Sequence, residues 1–481
     1  MIYKITVTAP GSKTVISAAQ NAVLADVLCE NGFAVPAACG RRGICNKCTV
    51  KVLNGFFNGD TPDENGMIRS CKAKIASDAE ISLDFVNGTG LTDLSSKTKA
   101  AKNACGIAVD IGTTTVAATY LKKDGSTKSV SRLNPQSAYG ADVISRIEAC
   151  SDGKTDILCA LIRRCIKEMV LTLCGEQQPD EMVVSGNATM LHLFCSVSPV
   201  SMGVYPFEPV FTSTRIYSGK EMGIPVKKIT VLPGISAFVG SDIVSGIYAL
   251  SLHKTNNRAF LADLGTNGEL VLTDRGRLYC TSAAAGPALE GACMECGTGG
   301  VAGAIDSVYD ENGKIRFTVI ENKSPSGICG AGIVDTVSLM LEKGLIDETG
   351  ATENERFYIC DDIYISQSDI RQFQLAKSAI CSGIETLIQT VGLCENDIDD
   401  FYIAGGLGYY MNAESAFNCG ILPRMACRVH PAGNTSLSGA LMCIGSESTV
   451  RDMEKIAESC THIDLGGNPS FNERFMNHMF F

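Results

Sequence analysis

The sequence predicts a multidomain protein of α/β and α+β class: a small β-rich unit at the N-terminus, then a duplicated α/β unit. Three observations carry this. Residues 1–86 read as short strands around one helical pattern and hold a compact set of cysteines. Residues 87–104, beginning Asn87-Gly-Thr-Gly-Leu-Thr-Asp-Leu-Ser-Ser, are small and polar, as linkers are. From Cys105 onward apolar strands alternate with helical patterns, and one strand–turn–strand segment recurs.

The bulk composition narrows the function classes. At roughly 100–200 residues per domain, 481 residues give about three units, each long enough to bury a core. The chain is 45% hydrophobic and 19% charged, with a net charge of −11 and no long Lys/Arg block. That argues against a nucleic-acid partner and against an anionic membrane surface. No apolar run reaches the ~18 residues of a spanning helix. Met1-Ile-Tyr-Lys-Ile-Thr-Val-Thr alternates as a strand does and lacks the form of a secretory signal, so a cytoplasmic location is expected. The 22 cysteines mostly sit singly in apolar stretches, as Cys150, Cys159, Cys165 and Cys174 do. Free thiols there act as small hydrophobes, and a reducing, anaerobic interior suits them better than a disulfide framework.

In the N-terminal unit (1–86), strands are expected at 2–8 and 13–17, a helix at 20–31 closed by Gly32, and strands at 49–53 and 80–86. The α/β part divides into 105–257 and 258–481. Gly106-Ile-Ala-Val-Asp-Ile-Gly-Thr-Thr-Thr-Val-Ala-Ala-Thr-Tyr matches Phe260-Leu-Ala-Asp-Leu-Gly-Thr-Asn-Gly-Glu-Leu-Val-Leu, each reading strand, Asp-x-Gly-Thr turn, strand. A repeat of this kind implies two related subdomains with a cleft between them. A long helix is expected at 368–393, carrying Ile370, Phe373, Ala376, Ile380, Ile384 and Leu387 on one face. A helix and a strand over 446–481 would cap the second subdomain.

Cys39-Gly-Arg-Arg-Gly-Ile-Cys45-Asn-Lys-Cys48 is C-x5-C-x2-C, and Cys71 follows in Ile68-Arg-Ser-Cys. A 2Fe–2S cluster needs four thiolates, three from a wrapping loop and one from elsewhere. Gly40 and Gly43 let the backbone turn tightly so that loop N–H groups face the sulfurs, and Arg41 and Arg42 would lie near the cluster's negative charge. Zinc is the alternative, since C-x2-C is also a zinc half-site; such sites usually add a second close pair, and Cys71 stands alone. The layout resembles the vertebrate-type and bacterial 2Fe–2S ferredoxins, which have a β-grasp fold.

The Asp-x-Gly-Thr turns suit phosphate. Glycine lets backbone N–H groups approach phosphate oxygens, and Thr113, Thr114 and Thr266 add hydroxyls. Asp110 and Asp263 suit Mg²⁺ held through its waters. Phe401-Tyr-Ile-Ala-Gly-Gly-Leu-Gly408, a strand ending in glycines, suits a nucleoside against bare backbone. Together these resemble the actin, hexokinase and heat-shock ATPase superfamily, in which two such hairpins clamp ATP. No G-x-x-x-x-G-K-[ST] occurs, so a P-loop is excluded.

The closer resemblance comes from a string of segments: Asn134-Pro-Gln-Ser-Ala-Tyr-Gly-Ala-Asp, Ser185-Gly-Asn-Ala-Thr-Met, Pro233-Gly-Ile-Ser-Ala-Phe-Val-Gly-Ser-Asp, Gly286-Pro-Ala-Leu-Glu-Gly-Ala, Gly327-Ile-Cys-Gly-Ala-Gly and Gly433-Asn-Thr-Ser-Leu-Ser-Gly-Ala. Behind the cysteine loop, they resemble the reductive activators of corrinoid-dependent methyltransferases over nearly the full chain. The resemblance implies ATP-dependent return of inactive Co(II) to Co(I) on a corrinoid protein, by one low-potential electron from the cluster. It implies a corrinoid protein as partner, an upstream electron donor and a homodimer. The electron is hard to place: plant-type clusters lie near about −400 mV, Co(II)/Co(I) lies lower still, and each gap of about 59 mV costs tenfold. Some coupling to nucleotide must shift the balance. The absence of Asp-x-His-x-x-Gly indicates that the chain does not itself bind corrinoid.

By position in the family, Asp110, Gly112, Thr113 and Thr114 form the first phosphate loop, and Asp263, Gly265, Thr266, Asn267 and Gly268 the second. Glu269 positions water, with Asp142 as a weaker candidate. Gly405, Gly406 and Gly408 face the adenosine. Cys293-Met-Glu-Cys296 is a second C-x2-C, for which structural thiols are the default and a redox pair or a second cluster the alternatives. The five histidines show no metal spacing. Other readings are an electron donor to a different low-potential enzyme such as a dehydratase, a nucleotide-sensing ferredoxin fusion without turnover, and a sugar kinase.

Overall fold

The computed structural model describes residues 1–9, 12–31, 33, 35, 41, 43, 48–83, 104–175, 177–408 and 411–481. Cys39, Cys45, Arg42, Gly40 and all of the expected linker but Ala104 lie outside the described residues.

The N-terminal unit is built on a five-stranded sheet in the order Ser12–Ala19, Ile2–Ala9, Ala79–Ser82, Thr49–Asn54, Met67–Arg69. Ile2–Ala9 pairs antiparallel with Ser12–Ala19 and parallel with Ala79–Ser82. The alternation in the first strand buries Ile5 and Val7, the period-2 pattern of a half-buried strand. The helix Leu24–Glu30 crosses this sheet and buries Leu24, Ala25, Val27, Leu28 and Cys29. It is shorter than expected because Asn21 has φ +66° and Val23 is extended, so residues 20–23 form a turn onto the Ile75 carbonyl.

The duplication is visible in the topology. In the first half, strands Thr127–Leu133, Thr115–Leu121 and Gly106–Ile111 form a meander. Next to it lie Glu181–Gly186, parallel to Gly106–Ile111, and then Lys228–Val231. In the second half, Arg277–Ala283, Gly268–Asp274 and Arg258–Leu264 form the same meander. Asp400–Ala404 and Arg428–Gly433 follow in parallel. Both sheets thus have strand order 3-2-1-4-5 within their half, each with one further edge strand. Burial on both faces explains the near-continuous apolar runs of Glu181–Gly186, Lys228–Val231 and Asp400–Ala404.

Matching helices close the two halves on each other. Ser241–Ala249 follows the fifth strand of the first half, and Thr435–Cys443 the fifth strand of the second. They meet at glycines: a Cβ on Gly439 would lie 2.4 Å from the Ser245 carbonyl oxygen, and one on Gly246 2.9 Å from the Thr435 hydroxyl. The core between them joins Val244, Ile247, Leu261, Leu437 and Ala440 from both halves.

The long helix runs Gln367–Thr390, started by a Ser366 capping box with Asp369, and its Ile370, Phe373, Ala376, Ile380, Ile384 and Leu387 are buried. The C-terminal region holds the expected helix, Glu447–Ser459, and a two-residue strand, Thr461–His462, beside Arg277–Ala283. It also holds a second helix that the sequence pattern did not indicate, Pro469–Asn477. That helix is short and has no fully buried residue. It is started by Asn468 and Pro469, and it is fastened by Arg474 and His478, which both reach Glu385.

Candidate functional site: a carboxylate-lined cleft and a cysteine loop

In both Asp-x-Gly-Thr turns the glycine N–H closes the hairpin, three residues across in the first and two in the second. Gly112 N–H donates to Thr115 O at 3.0 Å, and Gly265 N–H donates to Asn267 O at 2.9 Å. At Gly112 a Cβ would sit 2.6 Å from the Thr115 carbonyl oxygen, so only glycine fits. The fourth strands repeat the correspondence. A Cβ on Gly186 would lie 2.7 Å from the Ile111 carbonyl oxygen, and one on Gly405 2.6 Å from that of Leu264. Gly186, which ends its strand, and Gly405, which follows its own, are therefore required so that the chain can pass over the turn. Gly405 has φ +86° and opens the short helix Gly405–Gly408, while around a Cβ on Gly406 there is open space.

The turns face each other across the cleft. Thr114 Oγ1 lies 3.4 Å from Thr266 Oγ1, and both hydroxyls donate to one carboxylate oxygen of Glu290, Thr114 at 2.8 Å. Thr113 accepts from Asn187 at 2.9 Å. Asp110, at the end of its strand, accepts from Asn434 at 2.8 Å and from Ser436 at 2.7 Å, both from the opposite half.

Five acidic groups converge here: Asp110, Asp242, Asp263, Glu269 and Glu290. Burial raises each carboxyl above its ordinary range. Burial first, then the charge of Asp110, carries Asp242 to about 7, although the backbone N–H groups at the start of its helix oppose the rise. Burial first, then Asp242, Asp110 and Glu290, carries Asp263 to about 8. Glu269 is pushed well up by burial, Asp242 and Asp263, whereas the two threonine hydroxyls and Arg146 partly relieve Glu290. Carboxyl groups so raised would release their protons on meeting a cation, and oxygen ligands are the kind that suit Mg²⁺. The residues present fit a magnesium nucleotide.

Asp110, Gly112, Thr113, Thr114, Asp263, Gly265, Thr266, Asn267, Gly268, Glu269 and Gly405 all lie on the two hairpins or against them, and Gly406 and Gly408 continue from Gly405. Asp142 does not join them. It caps the helix Val143–Ala149, accepting from Ser145 N–H at 2.7 Å. Asp242 and Glu290 were missed. They lay inside the quoted segments, but a single acid among glycines and serines carries no spacing signal. The repeat offered one: Asp242 begins the helix that pairs with the helix started by Asn434, so both sides of Asp110 had a polar group to find.

At the cysteine loop, Cys48 and Cys71 are buried, 2% and 8% exposed, and Ser70 ties them together, its N–H and hydroxyl meeting the Cys48 carbonyl at 3.1 and 2.7 Å. Gly43 has φ +79°, and its carbonyl accepts from Arg69 at 2.8 Å. Arg69 also forks onto Asp60, at 2.6 and 3.1 Å. Asp60 chiefly, with the Cys71 and Cys48 thiols adding more weakly, raises the Arg69 pKa. Two buried thiols beside a loop curled by glycine fit half of a four-thiolate set. The Arg41 guanidinium reaches Asp26 and the Ala138 carbonyl, and it stacks 4.3 Å over the Tyr139 ring.

Elsewhere, Cys293 is exposed and Cys296 half-buried, so the default of buried structural thiols does not hold for Cys293. His192 has a structural role, 2.7 Å from the Ala188 carbonyl and accepting from Val210 N–H at 3.1 Å. No helix among the described residues is long and apolar enough to cross a membrane.

Comparison with known proteins gives one consistent answer. Residues 7–76 match the 2Fe-2S iron-sulfur cluster binding domain, residues 105–255 the RACo middle region, and residues 257–481 the C-terminal domain of RACo, the ASKHA domain. The corrinoid activation enzyme RamQ of Eubacterium limosum is 32% identical over 464 residues, covering 88% of this chain and 78% of that one. The [Co(II) methylated amine-specific corrinoid protein] reductase of Methanosarcina barkeri is 27% identical over 291 residues, covering 56% of this chain and 54% of that one. Among solved structures, a reductive activator for corrinoid, iron-sulfur protein superposes with a TM-score of 0.74 at 24% identity, covering 100% of this chain and 98% of that one; it shares the fold. A 2Fe–2S ferredoxin domain followed by a duplicated ASKHA nucleotide-binding unit places the chain in the family of corrinoid activation enzymes.

Proposed function

We propose that this chain is an ATP-dependent reductive activase that returns the Co(II) of a corrinoid protein to Co(I), one electron at a time. The observation that carries the reading is the joining, in one chain, of a cysteine loop and a cleft in which two glycine-threonine turns face each other above five acidic groups. A bound 2Fe–2S cluster supplies one-electron transfer.

The chain's residues take these roles. Cys48 and Cys71, with Cys39 and Cys45, ligate the cluster. The turn at Gly112, Thr113 and Thr114 and the turn at Gly265, Thr266, Asn267 and Gly268 hold phosphates by backbone N–H and hydroxyl groups. Asp110 and Asp263 hold Mg²⁺ through its waters, with Asp242 as a third anionic partner. Glu269, at the start of the second hairpin's returning strand, orients the attacking water. Gly405, Gly406 and Gly408 leave room for the nucleoside. Coupling to the partner follows from linkage: a nucleotide shifts electron delivery only if the two states of the cleft differ in affinity for the corrinoid protein.

The reading includes an upstream reductant, and a homodimer as the active form. It is tested by measuring ATP hydrolysis by purified holoprotein with and without a Co(II) corrinoid protein. Stimulated turnover supports it; binding of ATP without turnover favours a nucleotide sensor.

A further inference from the structure

Three consecutive carbonyls of the first phosphate loop are held by one buried segment. Asn134 Nδ2 donates to Gly112 O at 2.8 Å, Arg146 Nη2 to Thr113 O at 2.6 Å, and Asn134 N–H to Thr114 O at 2.8 Å. Asn134 and Arg146 are fully buried. Between them runs the turn Pro135–Ala138, whose first residues Asn134 caps at 3.0 Å; Arg146 also holds Gly140 O at 2.9 Å. The far end of this turn meets the ferredoxin unit. Ala138 O accepts from Arg41, which lies between the expected ligands Cys39 and Cys45. The Tyr139 ring lies under the Arg41 guanidinium, and the Tyr139 hydroxyl donates to Asp26 at 3.3 Å. Asp26 in turn pairs with Arg41. Farther along, Arg164 donates to the carbonyls of Glu30 and Cys29 at 2.9 and 3.2 Å, at the end of the ferredoxin helix.

We propose that Arg41, Asp26, Tyr139 and Arg164 are positioning residues that latch the ferredoxin unit onto the nucleotide-binding unit, and that phosphate entering the first loop loosens the latch through Asn134 and Arg146. This rests on the reading of residues 112–114 as a phosphate loop.

The sign comes from Glu290. Its carboxylate holds the hydroxyls of Thr114 and Thr266, the donors that a phosphate would use. A phosphate cannot share them with a carboxylate at contact distance, because like charges repel. Phosphate entry must therefore part Thr114 from Glu290, and because the Thr114 carbonyl is bonded to Asn134, a shift of Thr114 reaches the turn Pro135–Ala138 and the Arg41 contact. Buried side-chain hydrogen-bond networks resist gradual distortion, which favours a switch between two arrangements. By reciprocity, a closed latch weakens nucleotide binding by the same factor that nucleotide weakens the latch. Release would free Arg41 from Ala138, Tyr139 and Asp26.

The test uses full-length holoprotein and a non-hydrolysable ATP analogue with Mg²⁺. Amide hydrogen exchange is followed in Leu24–Glu30 and Pro135–Ala138, and analogue affinity is measured in the wild type and in Arg41→Ala, Arg41→Lys and Arg164→Ala. Iron content and visible absorption establish that each variant is loaded and folded. The analogue is expected to speed exchange in both segments. Arg164→Ala, remote from cluster and cleft, and Arg41→Ala are expected to speed exchange without nucleotide and to bind the analogue about fivefold more tightly or better. Arg41→Lys, which keeps the charge opposite Asp26, should return towards wild type. A variant that is merely destabilised would not gain affinity. If the analogue binds but exchange is unchanged, or if Arg164→Ala binds it no more tightly, the latch is wrong while the cleft assignment stands. If the analogue does not bind at all, both fall.

Discussion

Asn434 donates a 2.8 Å hydrogen bond to Asp110 although 324 positions separate them in the chain. The bond joins the start of the last buried helix to the end of the first strand of the duplicated unit. It shows how one carboxylate of the cleft floor is held: Asp110 stands on the first strand of its half, and Asn434 and Ser436 of the opposite half orient it. Replacing Asp110 therefore alters both the charge and the seam between the halves. Asp110→Asn, which keeps the shape, should lower ATP turnover by about 100-fold or more, the scale of losing one preorganised electrostatic group. The visible spectrum of the iron–sulfur domain should stay the same. ATPase assays and absorption spectra on one preparation check both halves of this expectation.

The acidic cluster predicts an unusual pH dependence for the nucleotide-free protein. Asp242 and Asp263 are raised to about 7 and about 8, above their values in an unfolded chain. A raised folded value means that the folded state prefers the protonated form. The stabilisation is then full below the ordinary carboxylate range and is lost as pH rises through about 7 to 8. The Tm of nucleotide-free protein should fall between pH 6 and pH 9. Asp242→Asn should flatten that fall and raise the Tm at pH 8 by on the order of 2–4 °C. It should also weaken the stabilisation by Mg²⁺ and nucleotide. Scanning calorimetry across pH, with and without Mg-ADP, measures this; an Asp242→Asn protein less stable than wild type at pH 8 would contradict it.

Gly405 and Gly406 are neighbours with opposite constraints. A Cβ on Gly405 would lie 2.6 Å from the Leu264 carbonyl oxygen and 2.7 Å from Asp263 Oδ1, at φ +86°. Gly405→Ala should cost about 1–3 kcal/mol of stability, the scale of a strained backbone, and displace the second phosphate loop, lowering nucleotide affinity at least tenfold. Gly406→Ala should leave stability within about 1 kcal/mol, since nothing stands within 4 Å. Urea denaturation and nucleotide titration of the two variants give the contrast.

Cys48→Ser and Cys71→Ser should each lose the cluster, with iron falling from about two per chain towards zero. Nucleotide binding should survive in both, because neither thiol lies on the hairpins. Iron and sulfide analysis beside a nucleotide titration checks this. A colourless protein with one tightly bound zinc before any mutation would overturn the cluster assignment.

The sequence made most of the fold legible where periodicity and spacing were strong. The two Asp-x-Gly-Thr hairpins, the long helix with Ile370, Phe373 and Ile380 on one face, and the alternating first strand each carry a local physical signature. The single cysteines of Thr155–Cys174 sit in its buried face, as apolar residues do. What stayed hidden depends on contacts between distant segments. Asp242 and Glu290 matter only because folding brings them to the two turns. The contacts of Arg41 with Asp26 and Tyr139 were hidden for the same reason, since they join residues far apart in the chain. The helix Pro469–Asn477 has too little apolar surface to announce itself, and it is held by Arg474 and His478 at Glu385.

The central claim is that the cleft drives an electron from the cysteine loop to a corrinoid. It is tested most directly by mixing dithionite-reduced holoprotein with a Co(II) corrinoid protein under anaerobic conditions and following cobalt absorption and ATP hydrolysis together. The account predicts that Co(II) disappears and Co(I) appears only when Mg-ATP is present, with hydrolysis rising as the corrinoid protein is added. Co(I) formed equally fast without nucleotide, or ATP turnover indifferent to the corrinoid protein, would contradict it.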